Sequence, residues 1–329
     1  MAEARGAGLS WRKLGKIFDP RAHRLPDGCQ EFAQSPQTLL LPDRTRIYFS
    51  TRSVDPANGK FFSRVAYADF TPDLGALLGV CDHTVLPLGG LGCFDEHGIF
   101  PINILAHQGK VYGYTSGWSR RVAVSVETAI GLVVSHDQGE RFERVGMGPV
   151  LAAAPHEPCL VCDGFVRVID GLFHMWYIFG TGWKHLAPDA PPDRIYKIAH
   201  AVSTDGLTWA RPEAGSQIIP DRLGPDECQA LPSVLAHGGL YHMLFCYRHA
   251  DDFRLNRGRG YRIGYAWSEN GRDWHRDDER GAIAGEAGEW DGDMQCYPHL
   301  FARDGRVYLL YNGNAFGRHG FGAAVLHES

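Results

Sequence analysis

The chain has 329 residues, 44% apolar and 22% charged, with a formal net charge of −5. That balance suits a globular protein with a sizeable core and speaks against a general nucleic-acid binder, which would be basic; no Lys/Arg stripe is present. The 40 Gly, 19 Pro and 12% aromatics favour many short strands and tight turns over long helices. The opening MAEARGAGLSWRKLGK has no apolar h-region and no small-residue cleavage site. No run of about 18 apolar residues occurs, so no transmembrane helix is expected and the chain reads as soluble and cytoplasmic.

In chain order, the first element is a strand from Trp11 to Phe18, WRKLGKIF, with no obvious local partner. Five related segments follow: SPQTLLLPDRTRIYFSTR from Ser35, FPINILAHQGKVYGYTSGW from Phe100, DGFVRVIDGLFHMWYIFGTGW from Asp163, LPSVLAHGGLYHMLFCYR from Leu231 and YPHLFARDGRVYLLYNG from Tyr297. Each is a turn, a short apolar strand, a Gly/Asp turn and a strand rich in aromatics and Met. Pro36, Pro101, Pro232 and Pro298 share one position, where the third segment has Gly164. The starts are 65, 63, 68 and 66 residues apart. A period of that length reads as repeated sheets around an axis.

Out of phase with these lie Ser135-His-Asp137-Gln-Gly139-Glu-Arg-Phe142, Ser203-Thr-Asp205-Gly206-Leu-Thr-Trp209 and Ser268-Glu-Asn270-Gly271-Arg-Asp-Trp274. These are Asp-box-like turns. The Asp or Asn bonds its own backbone, the Gly supplies φ > 0 and the aromatic packs beneath. They carry structure, not chemistry. The stretch HLAPDAPPDR at 185–194 reads as a Pro-rich insertion. The last unit ends in GFGAAVLHES without an outer strand. Trp11-Arg-Lys resembles Trp209-Ala-Arg and Trp274-His-Arg, so the N-terminal strand is expected to complete it. The expectation is one domain over residues 1–329: an all-β, five-bladed β-propeller closed by residues 10–18.

Counting five back from each repeat Pro gives Glu31, Glu96, Glu227 and Asp293; the third unit has Cys159 there and Asp163 just before Gly164. Acids repeated at one position suggest an acid-lined channel mouth. Clustered carboxylates split their pKa values, as glycosidic cleavage requires. Trp118 and Trp183 end strands at corresponding points and suit stacking on sugar rings. Arg52, Arg248, His97, Tyr297, Asn312, Asn314 and His319 complete the candidate lining.

The segment from Asp163 to Tyr177 resembles the Asp-Pro strand of the five-bladed propeller glycosidases: arabinanases and xylosidases, invertases, levansucrases and mannoside phosphorylases. Glu227-Cys228, leading into Leu231-Pro232-Ser-Val, resembles the Glu-Cys element of the invertase branch. The resemblance implies Asp163 as transition-state stabiliser or pKa modulator and Glu227 as general acid. Those families carry a further Asp one blade before the Asp-Pro strand. Here that blade reads Phe94-Asp95-Glu96-His97 with no Asp directly before Pro101, and the first unit has Ser35 before Pro36. Glu96 or Asp95 is the first candidate for the third carboxylate, Glu31 or Asp293 the next. A missing base would allow phosphorolysis, with Arg52, Arg248 and Lys184 as a phosphate pocket, or sugar binding without turnover. A carbohydrate is the expected partner, and no membrane or nucleic acid is. No cofactor or metal site is expected: no dinucleotide-type Gly-rich loop or HExxH occurs. The lone Cys159-x-x-Cys162 pair, like the other six cysteines, reads as reduced packing thiols.

Overall fold

The computed structural model describes residues 8–185, 191–281 and 283–327. The middle of the Pro-rich stretch (186–190), the first seven residues and the last two lie outside the described residues.

Strand β1 (Trp11–Phe18) comes first. β2 (Glu31–Leu40), β3 (Thr45–Val54), β4 (Phe61–Phe70) and β5 (Leu77–Val80) then form an antiparallel meander. A second meander is β6 (Gly98–His107), β7 (Lys110–Arg120), β8 (Val126–Ser135) and β9 (Glu143–Arg144). One parallel pair, Ser63 with Gly98, links β4 to β6. The third is β10 (Cys159–Ile169), β11 (Leu172–Lys184) and β12 (Asp193–Ser203), with Ala210 bridging Val202 where a fourth strand would run. The fourth is β13 (Cys228–His237), β14 (Leu240–Arg248), β15 (Arg262–Ser268) and β16 (His275–Arg276). The last is β17 (Cys296–Arg303), β18 (Arg306–Asn312) and β19 (Phe321–Leu326), and β1 pairs antiparallel with β19 from Trp11–Leu326 to Phe18–Phe321.

The first strands of successive meanders lie side by side: β2 on β6, β6 on β10, β10 on β13, β13 on β17, and β17 on β2. They begin between one and four residues before the repeat starts read from the sequence. Each has a register break near its start, at Gln34–Gln37, Ile99–Ile102, Cys162–Phe165, Ala230–Ser233 and Cys296–His299. Within these breaks Ser35, Asp163, Leu231 and Tyr297 take φ values of 53°, 56°, 51° and 57°. A bulge of this kind turns one side chain out of the strand's alternation. Left-handed backbone at a non-glycine residue persists only where its surroundings hold it. Here neighbouring meanders do so: Asn312 Oδ1 accepts from Ser35 N (2.8 Å), Ser116 Oγ from Asp163 N (2.7 Å) and Asp163 Oδ2 from Leu231 N (3.2 Å).

The three box turns are built as their residues dictate. Ser135, Ser203 and Ser268 hydroxyls donate to Asp137, Asp205 and Asn270 and accept from Gly139, Gly206 and Gly271 N–H. Each turn also docks on the meander before it. The carbonyls of Gly139, Gly206 and Gly271 accept from Tyr48 Oη (2.6 Å), Tyr114 Oη (3.1 Å) and Trp176 Nε1 (3.2 Å), residues of β3, β7 and β11. Phe142, Trp209 and Trp274 meet those same rings edge-on. Among the described residues no helix is long and apolar enough to cross a membrane.

Candidate active site at the heads of the first strands

Asp163 stands in the bulge that opens β10, and only 6% of its surface is exposed. No cation among the described residues lies within ion-pairing distance of it; the charge of Arg194 acts only from further away. Desolvation therefore dominates and raises its carboxyl to about 7, against the weaker opposing pull of the Leu231 N–H and the Cys162 thiol. A carboxyl titrating near neutrality can give a proton and take it back.

The other buried acids before the first strands are held quite differently. Glu227 is fully buried. Its Oε1 accepts from Arg276 Nη1 (2.6 Å) and Gln229 Nε2 (3.0 Å), its Oε2 from Arg222 N (2.8 Å) and Leu223 N (2.9 Å). Asp95 pairs with Arg144, Glu157 with Arg211, and Asp291 with Lys13 (2.8 Å). In all four cases the cation sits at the outer edge of a sheet, two residues after an aromatic: Phe142, Trp209, Trp274 or Trp11. These are repeated internal ties between the lead-in to a first strand and a sheet edge. Glu157 and Asp291 had no place in the sequence reading, yet the aromatic-x-basic repeat carried their signal. The acids counted back from the Pro positions are each engaged by a neighbour. Glu31 is bound by Arg318 (2.8 Å), Glu96 accepts from Gly92 N (3.0 Å), and Asp293 pairs with exposed Arg257 (3.1 Å). The four acids five residues before the Pro positions answer to four different partners.

Cations and aromatics also stand near the strand heads. Arg52 lies over the Phe32 ring (4.2 Å to its centroid) and near Phe61 (5.5 Å). It makes no hydrogen bond or ion pair among the described residues, and its Nε is buried without a partner. Burial lowers its pKa, with Tyr297 opposing the shift. Tyr297 packs edge-on against Phe100 (5.3 Å) and Tyr261 (5.7 Å). Arg248 lies over Phe253 (3.5 Å) and donates to the His249 and Ala250 carbonyls and to Tyr196 Oη, with no carboxylate partner among the described residues. Trp118 stacks with His97 (6.1 Å), which stacks in turn on Phe62 (6.1 Å), and Arg194 lies over Trp183 (5.8 Å).

Other candidates have structural occupations. Asn312 is buried, and besides accepting from Ser35 N its amide donates to the Ala33 and Gly320 carbonyls, which leaves no donor for a sugar. Asn314 caps Asp293 and Met294 N–H. Lys184 is tied to Asp226 (2.7 Å), and His319 is exposed. Cys159 and Cys162 donate to the Gly180 and Leu160 carbonyls. Burial pushes both thiols up, away from reactive thiolate character. Two surface depressions, one lined by Leu9, Trp11, Lys13 and Arg280, the other by Cys93, Phe94, Arg121 and Glu127, do not include Asp163.

The Mycobacterium tuberculosis proteins Rv1502 (strain ATCC 25618 / H37Rv) and MT1551 (strain CDC 1551 / Oshkosh) are both uncharacterised. Each is 32% identical to this chain over 329 residues, covering 97% of it and 100% of the relative. The chain belongs to the Rv1502 family. No family model matches it. Among solved structures, a glycoside hydrolase superposes with a TM-score of 0.70 at 16% identity, covering 98% of this chain and 93% of its own. A BT0996–RGII complex gives 0.69 at 16% identity, over 97% and 92%. A structure from the GH130 family of mannoside phosphorylases, which contains glycoside hydrolases that target β-1,2 mannosidic linkages in Candida mannan, gives 0.64 at 12% identity, over 98% and 94%. At such identities these likenesses establish the fold. This member of the Rv1502 family has the fold of the propeller glycosidases.

Proposed function

We propose that this protein is a glycosidase-type enzyme that cleaves or transfers a glycosyl group on a small or activated sugar, with Asp163 moving the proton. The carrying observation is the desolvated, unpaired Asp163 carboxyl, raised to about 7 at the head of β10. Such a group protonates a leaving oxygen in one step and can accept a proton in the next. We further propose a single five-bladed domain closed by β1. The packing of β17 on β2 and the pairing of β1 with β19 support that reading.

Glu227, whose acceptor positions are occupied by N–H donors, is assigned as a positioning residue that fixes the start of β13. The proposed second carboxylate is Glu96, two residues before β6. Trp118 with His97, and Trp183, offer ring faces to a pyranose. The eight free thiols support a reducing, cytoplasmic setting.

The test is turnover by wild type, Asp163→Asn and Glu96→Gln on a panel of aryl glycosides and oligosaccharides. Loss of a positioned acid costs about 10²–10⁴-fold. Equal activity, or equal inertness, of wild type and Asp163→Asn across the panel would overturn the reading. Phosphorolysis is the second reading, favoured by one observation: Arg52, held at the strand heads without a counter-charge. It requires phosphate-dependent release of a sugar phosphate, abolished in Arg52→Met.

A further inference from the structure

A second cation without a counter-charge lies further along β10. Arg167 is partly buried, and its one hydrogen bond among the described residues is Nη1 to the Val166 carbonyl (2.8 Å). Its guanidinium lies over the Phe165 ring, 4.0 Å from the centroid. Burial alone moves its pKa, down to about 10; no carboxylate contributes to the field there. Partly withdrawn from water and with no counter-charge among the described residues, that guanidinium offers donors and positive charge to a small anion.

Beside the same Phe165 ring stands His299 of β17, ring centroid to ring centroid 6.1 Å and 1% exposed. Its tautomer is fixed by its neighbours. Backbone N–H groups only donate, and Thr38 N lies 3.2 Å from His299 Nε2. Nε2 is therefore the acceptor and Nδ1 carries the hydrogen. That Nδ1 is buried and has no partner. Desolvation and the Arg167 charge both hold the imidazole neutral, so it presents a donor and no second charge. An orphaned buried donor costs about 1–3 kcal/mol.

One ligand answers both deficits. We propose that a small monovalent anion, chloride in the cell, binds between β10 and β17 beside Phe165, held by the Arg167 guanidinium and the His299 Nδ1–H. A water molecule would satisfy the donor but not the charge. A divalent cation would meet the repulsion of Arg167. The site lies further along the strand that Asp163 opens, and it is independent of any glycosidic chemistry. It ties the third meander to the last, which gives the ion a structural role.

The test uses the full chain prepared free of halide. Unfolding temperature is measured against increasing sodium chloride, bromide or nitrate, with sodium gluconate balancing ionic strength. Wild type is expected to gain about 3 °C at roughly ten times the dissociation constant, saturably. Arg167→Met, which keeps the bulk over Phe165, is expected to lose that gain, and His299→Gln to require higher halide for it. The absence of a saturable halide effect in wild type, or the same effect in Arg167→Met, overturns the proposal. Bromide-grown wild-type crystals give a second reading that needs no variant. An anomalous peak within contact of Arg167 and His299 Nδ1 supports the site. A water or empty density there refutes it.

Discussion

Asp163 and Glu227 are both buried carboxylates near strand starts, and their surroundings send them in opposite directions. Asp163 has a folded value raised to about 7 from an ordinary 3.8. A folded value above the unfolded one means that the folded state holds the extra proton. Its contribution to stability is complete below about pH 4 and is lost as pH rises through about 7. Asp163→Asn removes this dependence. The variant is expected to match wild type near pH 4 and to exceed it by of order 2–4 kcal/mol at pH 8, measured by denaturant unfolding across pH. Glu227→Ala leaves two backbone donors and the Gln229 amide without their acceptor and takes from Arg276 one of its two carboxylates, Asp278 remaining, so a loss of about 1–3 kcal/mol is expected. A Glu227→Ala protein as stable as wild type in the same unfolding curves would sink the positioning role. Asp163 was legible in the sequence because its neighbour Gly164 occupies the repeat's Pro position. The fate of Glu227 was not, because its partner is 49 residues away in sequence and only pairing of β15 with β16 brings it near.

At the scale of strands and turns, the repeat carried most of the information. Pro and Gly positions marked the bulged starts of the first strands, and Ser-x-Asp/Asn-Gly segments marked the turns, because both rest on local backbone chemistry. The docking of each box turn on the meander before it was hidden, since it depends on which ring of the preceding second strand lies opposite. Tyr48, Tyr114 and Trp176 fill that place. Gly139 has φ of 82°, and an added Cβ would strike Tyr48 Oη. Gly139→Ala is therefore expected to cost more than about 2 kcal/mol, through both strain and the displaced hydrogen bond. Tyr48→Phe removes the hydrogen bond alone and should cost about 1 kcal/mol, read from the same unfolding curves. Equal effects for the two would show that backbone strain at Gly139 contributes nothing.

For the whole molecule, the decisive contacts join distant parts of the chain. Lys13 reaches Asp291, and β1 runs the length of β19 with His327 N donating to Ser10 O (2.8 Å). Deleting residues up to Phe18 exposes the β19 edge and leaves Asp291 without its cation. The shortened chain is expected to self-associate and to lose a single cooperative transition, seen by light scattering and thermal unfolding. The same pairing bears on how the protein is made. β1 leaves the ribosome roughly 300 residues ahead of β19, its partner. At 5–20 residues per second, roughly 15–60 s separate the two. Throughout that interval β1 waits unpaired while the intervening sheets fold, so nascent chains are expected to depend on a holding chaperone at β1 more than at any later strand.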